Sequence, residues 1–282
     1  MGRVDWDNAV SVVTGAGSGI GRSIAQSMAS RGARVVVTDI EADAAEAVAT
    51  EIRAAGGTAI AVQVDVADYD AVAALADRAY AEYGRVDVLC NNAGVTMRPY
   101  RAVWDASAAD FTWMMQINYF GVVNGLLAFV PRMRAQSGHK HIVNTSSMAT
   151  LDEVPGHGMY TASKAAVDGI SDVLRAELID QGDDFGVTVL YPGQVTTRIA
   201  TSERLRAAGE RSDARQVKAY ERRSEPKTHA LPLDPDVVGD MVIHAIDNDL
   251  RYCLTHPAPA EELRARTEAW IAGHVPATAT TG

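Results

Sequence analysis

Cysteine is nearly absent: Cys90 and Cys253 are the only two in 282 residues. Each lies in an apolar, strand-like run, so they read as buried reduced thiols rather than a disulfide framework. Basic residues are also scarce. Lys and Arg total 26 against 36 Asp and Glu, for a formal net charge of −10. A surface of that sign opposes nucleic acid or an anionic membrane as partner. No run of about 18 apolar residues appears, the length a spanning helix needs. Residues 1–8 lack the basic-then-apolar layout of a signal peptide, so a cytoplasmic location is expected. His139 and His141 would share a strand face, but no third metal ligand stands nearby, and they read as a surface turn before a strand. There is no G-x-S-x-G elbow in a strand–helix setting, and no repeat at solenoid periods.

What the chain does contain suits one α/β domain with a large core, since 47% of it is hydrophobic. A short apolar run at 9–13 leads into Gly15-x-x-x-Gly19-x-Gly21, and Ile24, Ala25, Met28 and Ala29 then recur at helical spacing. Strand, glycine turn and helix together are the context a dinucleotide loop requires. Glycine lets the backbone approach a pyrophosphate, and the helix N-terminus offers free N–H groups. The spacing is not G-x-G-x-x-G. The second strand, 34–38, ends at Asp39. An acid about 20 residues past the glycines can accept the adenosine ribose hydroxyls. It would also repel a 2′-phosphate, and neither Ser18 nor Ile40 supplies a compensating cation, so NAD is preferred to NADP. The same residue also fits an ordinary turn Asp.

Beyond Asp39 the alternation continues. Helices are expected at 42–55, 68–83, 110–134, 160–179, 236–247 and 261–271, and strands at 58–64, 86–90, 141–145, 187–191 and 252–255. Such regular β-α-β-α order predicts a parallel, doubly wound sheet of seven strands with helices on both faces. Ligands of such sheets bind at the carboxyl ends of the strands, where Asn91-Asn92-Ala93-Gly94 falls, although those residues also suit a plain turn. Asn118 interrupts the apolar stripe of Phe111, Met114, Met115, Val122 and Leu126, either as a satisfied core amide or as a site group. From 198 to about 232 the pattern loosens and becomes charged, as lids and binding loops do. Residues 278–282 are expected to fray.

Tyr160 and Lys164 lie four apart in a helical pattern and should share a face. A phenol titrates near 10. A fixed cation about 4 Å away, at an effective dielectric near 20, is worth roughly 4 kcal/mol, or about three pKa units. Desolvation offsets part of that, and the remainder brings the phenol toward the range where acid–base catalysis works best. Taken alone, the pair equally describes a solvated Lys beside a helix Tyr.

Taken in order, Thr14-Gly15-x-x-x-Gly19-Ile20-Gly21, Asp65, Asn91-Asn92-Ala93-Gly94, Asn118, Ser147, Tyr160-x-x-x-Lys164 and Pro192-Gly193-x-Val195-x-Thr197 resemble the short-chain dehydrogenase/reductase family over about residues 8–256. The resemblance implies a single Rossmann-type domain over 1–256, with a substrate loop at about 198–235 and a C-terminal helical extension over 257–282. It implies Tyr160 as the acid/base, Lys164 as the group lowering its pKa and holding the nicotinamide ribose, Ser147 as a hydrogen-bond partner of the substrate oxygen, and Asn118 as the anchor of a relay water. Gly15, Ser18, Gly19, Ile20, Gly21 and Asp39 would hold the dinucleotide. Asp65 and Val66 would meet the adenine, Asn91, Ala93 and Gly94 the adenosine-side ribose region, and Pro192, Gly193, Val195 and Thr197 the nicotinamide. Met97, Met148, His157 and Gln194 are expected around a mostly apolar substrate of moderate size. Thr150 stands where many relatives carry Gly, a change expected to affect the substrate wall. The extension beyond His256 resembles a subgroup that oxidises bulky cyclic or aryl alcohols. The implied activity is NAD-dependent interconversion of a secondary alcohol and a ketone, in a homotetramer or homodimer. The alternatives are an NADP-dependent biosynthetic ketoreductase and a non-catalytic NAD-binding regulator.

Overall fold

The strands at the centre of the chain carry apolar side chains on both faces, the pattern of a sheet covered on both sides. In the computed structural model, which describes residues 2–206, 218–221 and 231–273, every residue of β1 (Val10–Val13), β4 (Val88–Asn91), β5 (Lys140–Thr145) and β6 (Phe185–Tyr191) is buried. With β2 (Arg34–Asp39), β3 (Thr58–Gln63) and β7 (Tyr252–Leu254) they form one seven-stranded sheet, in the order β3-β2-β1-β4-β5-β6-β7. All pairings are parallel. The expected doubly wound α/β fold is therefore present. The order reverses between β1 and β4, which fixes where a ligand cleft opens. Much of the loop expected at 198–235 and the tail expected to fray at 278–282 lie outside the described residues.

Helices cover both faces. On one, α1 (Gly19–Ser30), α2 (Ala42–Ala54) and α7 (Asp236–Asp247) close a core that includes Ile24, Met28, Val48, Val35 and Ile243. On the other, α3 (Tyr69–Tyr83), α5 (Gly121–Arg134) and α6 (Gly158–Asp180) pack with Leu75, Phe129, Met133 and Ile142. The helix expected as one piece over 110–134 is instead α4 (Ala108–Met115), a π-helical turn (Gln116–Phe120) and α5. The extra residue of a π turn is a frequent mark of a functional position, and Asn118 sits at its centre.

Among the described residues one helix, Ala108–Arg134, is long and apolar enough to cross a membrane by length and composition, and 56% of its most apolar window is buried inside the protein. Asp110, Asn118 and Asn124 interrupt it, so it holds no uninterrupted apolar run of spanning length. All three are buried and hydrogen-bonded within the fold, so the length serves the core. After β7 comes α8 (Ala260–Ala272), whose Arg266 donates to the Thr150 carbonyl at 3.1 Å.

His139 and His141 are buried, not on a surface turn. His139 Nδ1 meets Asp184 Oδ1 at 2.8 Å. The Thr188 hydroxyl donates to the Leu250 carbonyl, so it accepts from His141 Nε2 at 2.8 Å, which makes that nitrogen the protonated one. Burial, with His139 close by, pushes His141 down to about 3. Its folded value lies below the unfolded value near 6.5, so stability is full above that pH. It falls as pH drops through the interval toward 3, because only the unfolded chain takes up the proton. Urea unfolding should therefore show stability falling by up to about 1.4 kcal/mol per pH unit from this group below pH 6, and His141→Gln should flatten that limb. An unchanged slope in the variant would assign the acid sensitivity elsewhere.

Candidate active site

The cleft begins at the turn between β1 and α1. Gly15 has φ +62°, and a Cβ there would stand 2.7 Å from the Ala93 Cα. Only glycine permits both the left-handed backbone and that approach. Thr14 Oγ1 clamps the facing turn, accepting from Asn92 N at 3.0 Å and Ala93 N at 3.1 Å. Ser18 precedes α1 with no side-chain cap, and the first turn holds no acidic residue. Its N–H groups are thus left for a ligand anion.

From this turn a cleft of about 470 Å³ runs along the strand ends, within the range of small-molecule sites. Gly15, Ser18, Gly19, Ile20, Gly21, Asp39, Asp65, Val66, Ala93, Gly94, Ser147, Tyr160, Lys164, Pro192, Gly193, Val195 and Thr197 all border it. Asp39 borders it while serving its own turn: Oδ2 accepts from Gly17 N and Oδ1 from Glu41 N, each at 3.0 Å. The turn reading of that residue is the one these bonds show.

Asn91 is not brought to the cleft. It is the last residue of β4, and its side chain faces inward, where Nδ2 donates to Asn144 Oδ1 at 2.9 Å. Side chains alternate along a strand, and its neighbour Asn92 borders the cleft instead, with Nδ2 on the Thr14 carbonyl at 3.0 Å. Asn118 is fully buried. Its Oδ1 accepts from Val95 N at 2.8 Å, and its Nδ2 donates to Val95 O at 3.0 Å and Ser163 Oγ at 2.9 Å. It works here as a core amide beneath Gly94, where an added Cβ would lie 3.2 Å from both Asn118 Oδ1 and Lys164 Nζ.

The Tyr160–Lys164 pair departs from its expected electrostatics. Lys164 Nζ donates to the Thr145 carbonyl at 2.8 Å. Burial lowers it to about 8, and Asp168, one turn further along α6, counters part of that. Burial also raises the Tyr160 phenol, with a hydrogen bond to Ser147 acting the other way. Desolvation is thus the largest influence on both groups in this arrangement. Asp168 is itself raised by burial, while the hydroxyls of Ser146, Thr150 and Tyr191 offset part of the rise.

The expected substrate residues scatter. His157 and Met97 border a narrow second cavity behind Tyr160, with the His157 ring centroid 4.0 Å from that of Tyr100. Gln194 is exposed and Met148 half-buried. Neither borders the main cleft among the described residues. Thr150 does not border it either, and its hydroxyl donates to the Ser147 carbonyl at 3.0 Å. The wall beyond Tyr160 comes instead from Val95, Trp113, Gln116, Ile117, Leu205 and Arg206. Gln116 and Ile117 could have been inferred from the turn around Asn118. Arg206 could not, because its place depends on an ion pair with Asp110, 96 residues away, at 2.8 Å.

The short chain dehydrogenase family profile matches residues 9–208. The chain belongs to the short-chain dehydrogenase family of oxidoreductases. This short-chain dehydrogenase is 37% identical to the 1-deoxy-11-beta-hydroxypentalenate dehydrogenase of Streptomyces avermitilis over 212 residues, 72% of this chain and 78% of that protein. A short-chain dehydrogenase/reductase from Burkholderia phymatum, solved in complex with NAD, superposes with TM-score 0.85 at 34% identity, over 99% of this chain and all of that one. A metagenomic short-chain oxidoreductase in complex with NADP superposes with TM-score 0.70 at 30% identity, over 89% and 97% of the two chains. The family binds NAD(P), and the glycine-lined cleft of this dehydrogenase fits such a group: the positions of Gly15, Gly19 and Gly21 are ones where a Cβ would meet other backbone or side-chain atoms within 3.0 Å.

The far wall of the dehydrogenase's cleft rests on one buried carboxylate. Asp110 completes a capping box with Ser107 at the start of α4 and pairs with Arg101 and Arg206, both nearly fully buried. Asp110→Ala removes the nearer acid of two buried guanidiniums and leaves them the more distant Glu203, at 3.8 and 3.9 Å, a loss of about 3–5 kcal/mol. Thermal unfolding should show that loss. A cost below about 1 kcal/mol would mean that the arginines find other partners.

Proposed function

We propose that this short-chain dehydrogenase interconverts a secondary alcohol and a ketone, with NAD as hydride carrier and Tyr160 as the acid/base. The observation that carries the reading is one continuous cleft, with Asp39 and the glycine turn at one end and Ser147, Tyr160 and Lys164 at the other. Bound there, the cofactor would supply the hydride chemistry. The protein's part is position and proton. Ser147 hydrogen-bonds Tyr160 and would share the substrate oxygen with it. Tyr160 donates its proton to that oxygen in reduction and accepts it in oxidation. The burial that raises the phenol favours its donor form. The Lys164 ammonium carries three N–H donors, so it can keep the Thr145 carbonyl while its charge favours the phenolate when Tyr160 acts as the base. Asn118 holds both polar backbone atoms of Val95 beneath the site, and its π turn is where a relay water would be anchored.

The wall formed by Val95, Trp113, Ile117 and Leu205 supports a mostly apolar substrate of moderate size. Domain 1–256 would carry the whole reaction in the cytoplasm. Exposed apolar side chains at Phe120, Leu127, Val173 and Ile179 on the long helices support assembly into a homodimer or homotetramer. A second reading, NADP as cofactor, is favoured by Arg198 and Arg204, which border the cleft near Asp39. A direct comparison of the two cofactors' affinities decides between them.

Tyr160→Phe should keep NAD binding and lower turnover on a secondary-alcohol panel by about 10²–10⁴-fold, the scale of general acid–base catalysis. Near-full turnover in that variant would overturn the role given to Tyr160.

A further inference from the structure

At the acidic end of the cleft the fold assembles charges that the chain order keeps far apart. Glu41 lies two residues past Asp39 and borders the cleft. Its Oε2 accepts from Arg204 Nη2 at 2.7 Å and from Arg198 Nη2 at 3.3 Å. Both arginines border the same cleft, carried there by the 3₁₀ segment Arg198–Leu205 that follows β6. That segment is held independently of Glu41. Thr197 caps it by accepting from Ile199 N, Ser202 Oγ donates to the Ile199 carbonyl at 2.6 Å, and Arg206 is anchored on buried Asp110. The guanidiniums would therefore stay near this spot if Glu41 lost its charge.

Two guanidiniums side by side form the donor fork that suits a phosphate dianion. A cofactor carrying a 2′-phosphate presents such a group beside the ribose hydroxyl that Asp39 is placed to read. With Glu41 ionised, both guanidiniums are occupied and two carboxylates, Asp39 and Glu41, face that position. The ion pairs are part-exposed, with 34–50% of each side chain's surface accessible, so they add little to stability. Their consequence lies in which anion the arginines serve.

We propose that Glu41 is a specificity-determining residue for the cofactor: by holding Arg198 and Arg204 it withholds from a 2′-phosphate the two cations that would otherwise cradle it. The inference rests on the reading that this cleft takes a dinucleotide with Asp39 at its adenosine ribose. It places part of the discrimination outside the strand-end acid, in a contact between two segments 157 residues apart. Glu41 provides no side-chain cap to α2, so its replacement removes charge without removing a cap.

Calorimetric titration of NAD+ and NADP+ into the unsubstituted protein, Glu41→Gln and Glu41→Gln/Arg204→Ala tests this. Glu41→Gln should raise the affinity for NADP+ relative to NAD+ by about tenfold, and Arg204→Ala in that background should remove the gain. An unchanged ratio overturns the proposal. So does equal tightening of both cofactors, which would assign the arginines to the pyrophosphate that the two share. A preference for NADP+ in the unsubstituted protein overturns the NAD reading instead, and the Glu41→Gln ratio still decides the proposal.

Discussion

The site depends on backbone segments coming closer together than side chains allow. Gly15 admits the Ala93 backbone, Gly19 admits Thr197, and Gly94 admits Lys164 and Asn118 from two helices. The first two approaches bring the segments after β4 and β6 to the end of β1, and the third seats two helices against the turn after β4. With Thr14 holding the amides of Asn92 and Ala93, the cleft has a floor made mostly of backbone. That floor places Ser147, Tyr160 and Lys164 within reach of anything held at the glycine turn, and strand pairing from β1 to β6 keeps it rigid.

Beneath the floor the polar groups are spent on one another. Asn91 bonds Asn144, Asn144 bonds Ser171, and Ser171 bonds the Val167 carbonyl. Asn118 grips both polar backbone atoms of Val95. Apart from Asn91 Oδ1, which has no hydrogen-bond partner among the described residues, these buried groups are paired, and such pairing fixes geometry because a slip leaves a buried group unpaired. The same burial sets the electrostatics above. It raises the Tyr160 phenol above its ordinary value near 10 and lowers the Lys164 amine to about 8, which moves the two titrations apart.

Charge fastens the segment after β6 to Glu41 through Arg198 and Arg204, and to Asp110 through Arg206. The two fastenings differ in kind. The Asp110 cluster is nearly dry, so it is costly to break. The Glu41 contacts are wet and exchangeable. The Asp110 contact is therefore the one whose loss costs stability.

Period and punctuation in the chain sufficed for the fold class, the number and parallel sense of the strands, and the elements bearing Tyr160, Ser147 and the glycine turn. Local hydrogen bonding and the burial of apolar runs on both strand faces determine these, and both are written in short stretches. Contacts between distant segments were not legible. Nothing near Asn91 in sequence says that its side chain turns to Asn144 while Asn92 takes the cleft. Nothing near Asp39 announces arginines arriving from positions 198 and 204, and nothing near Trp113 announces Arg206. The direction in which Tyr160 and Lys164 are shifted was likewise a tertiary outcome. Helical spacing put the two on one face, but the Thr145 carbonyl took the ammonium, and the depth of burial decided which electrostatic effect prevailed.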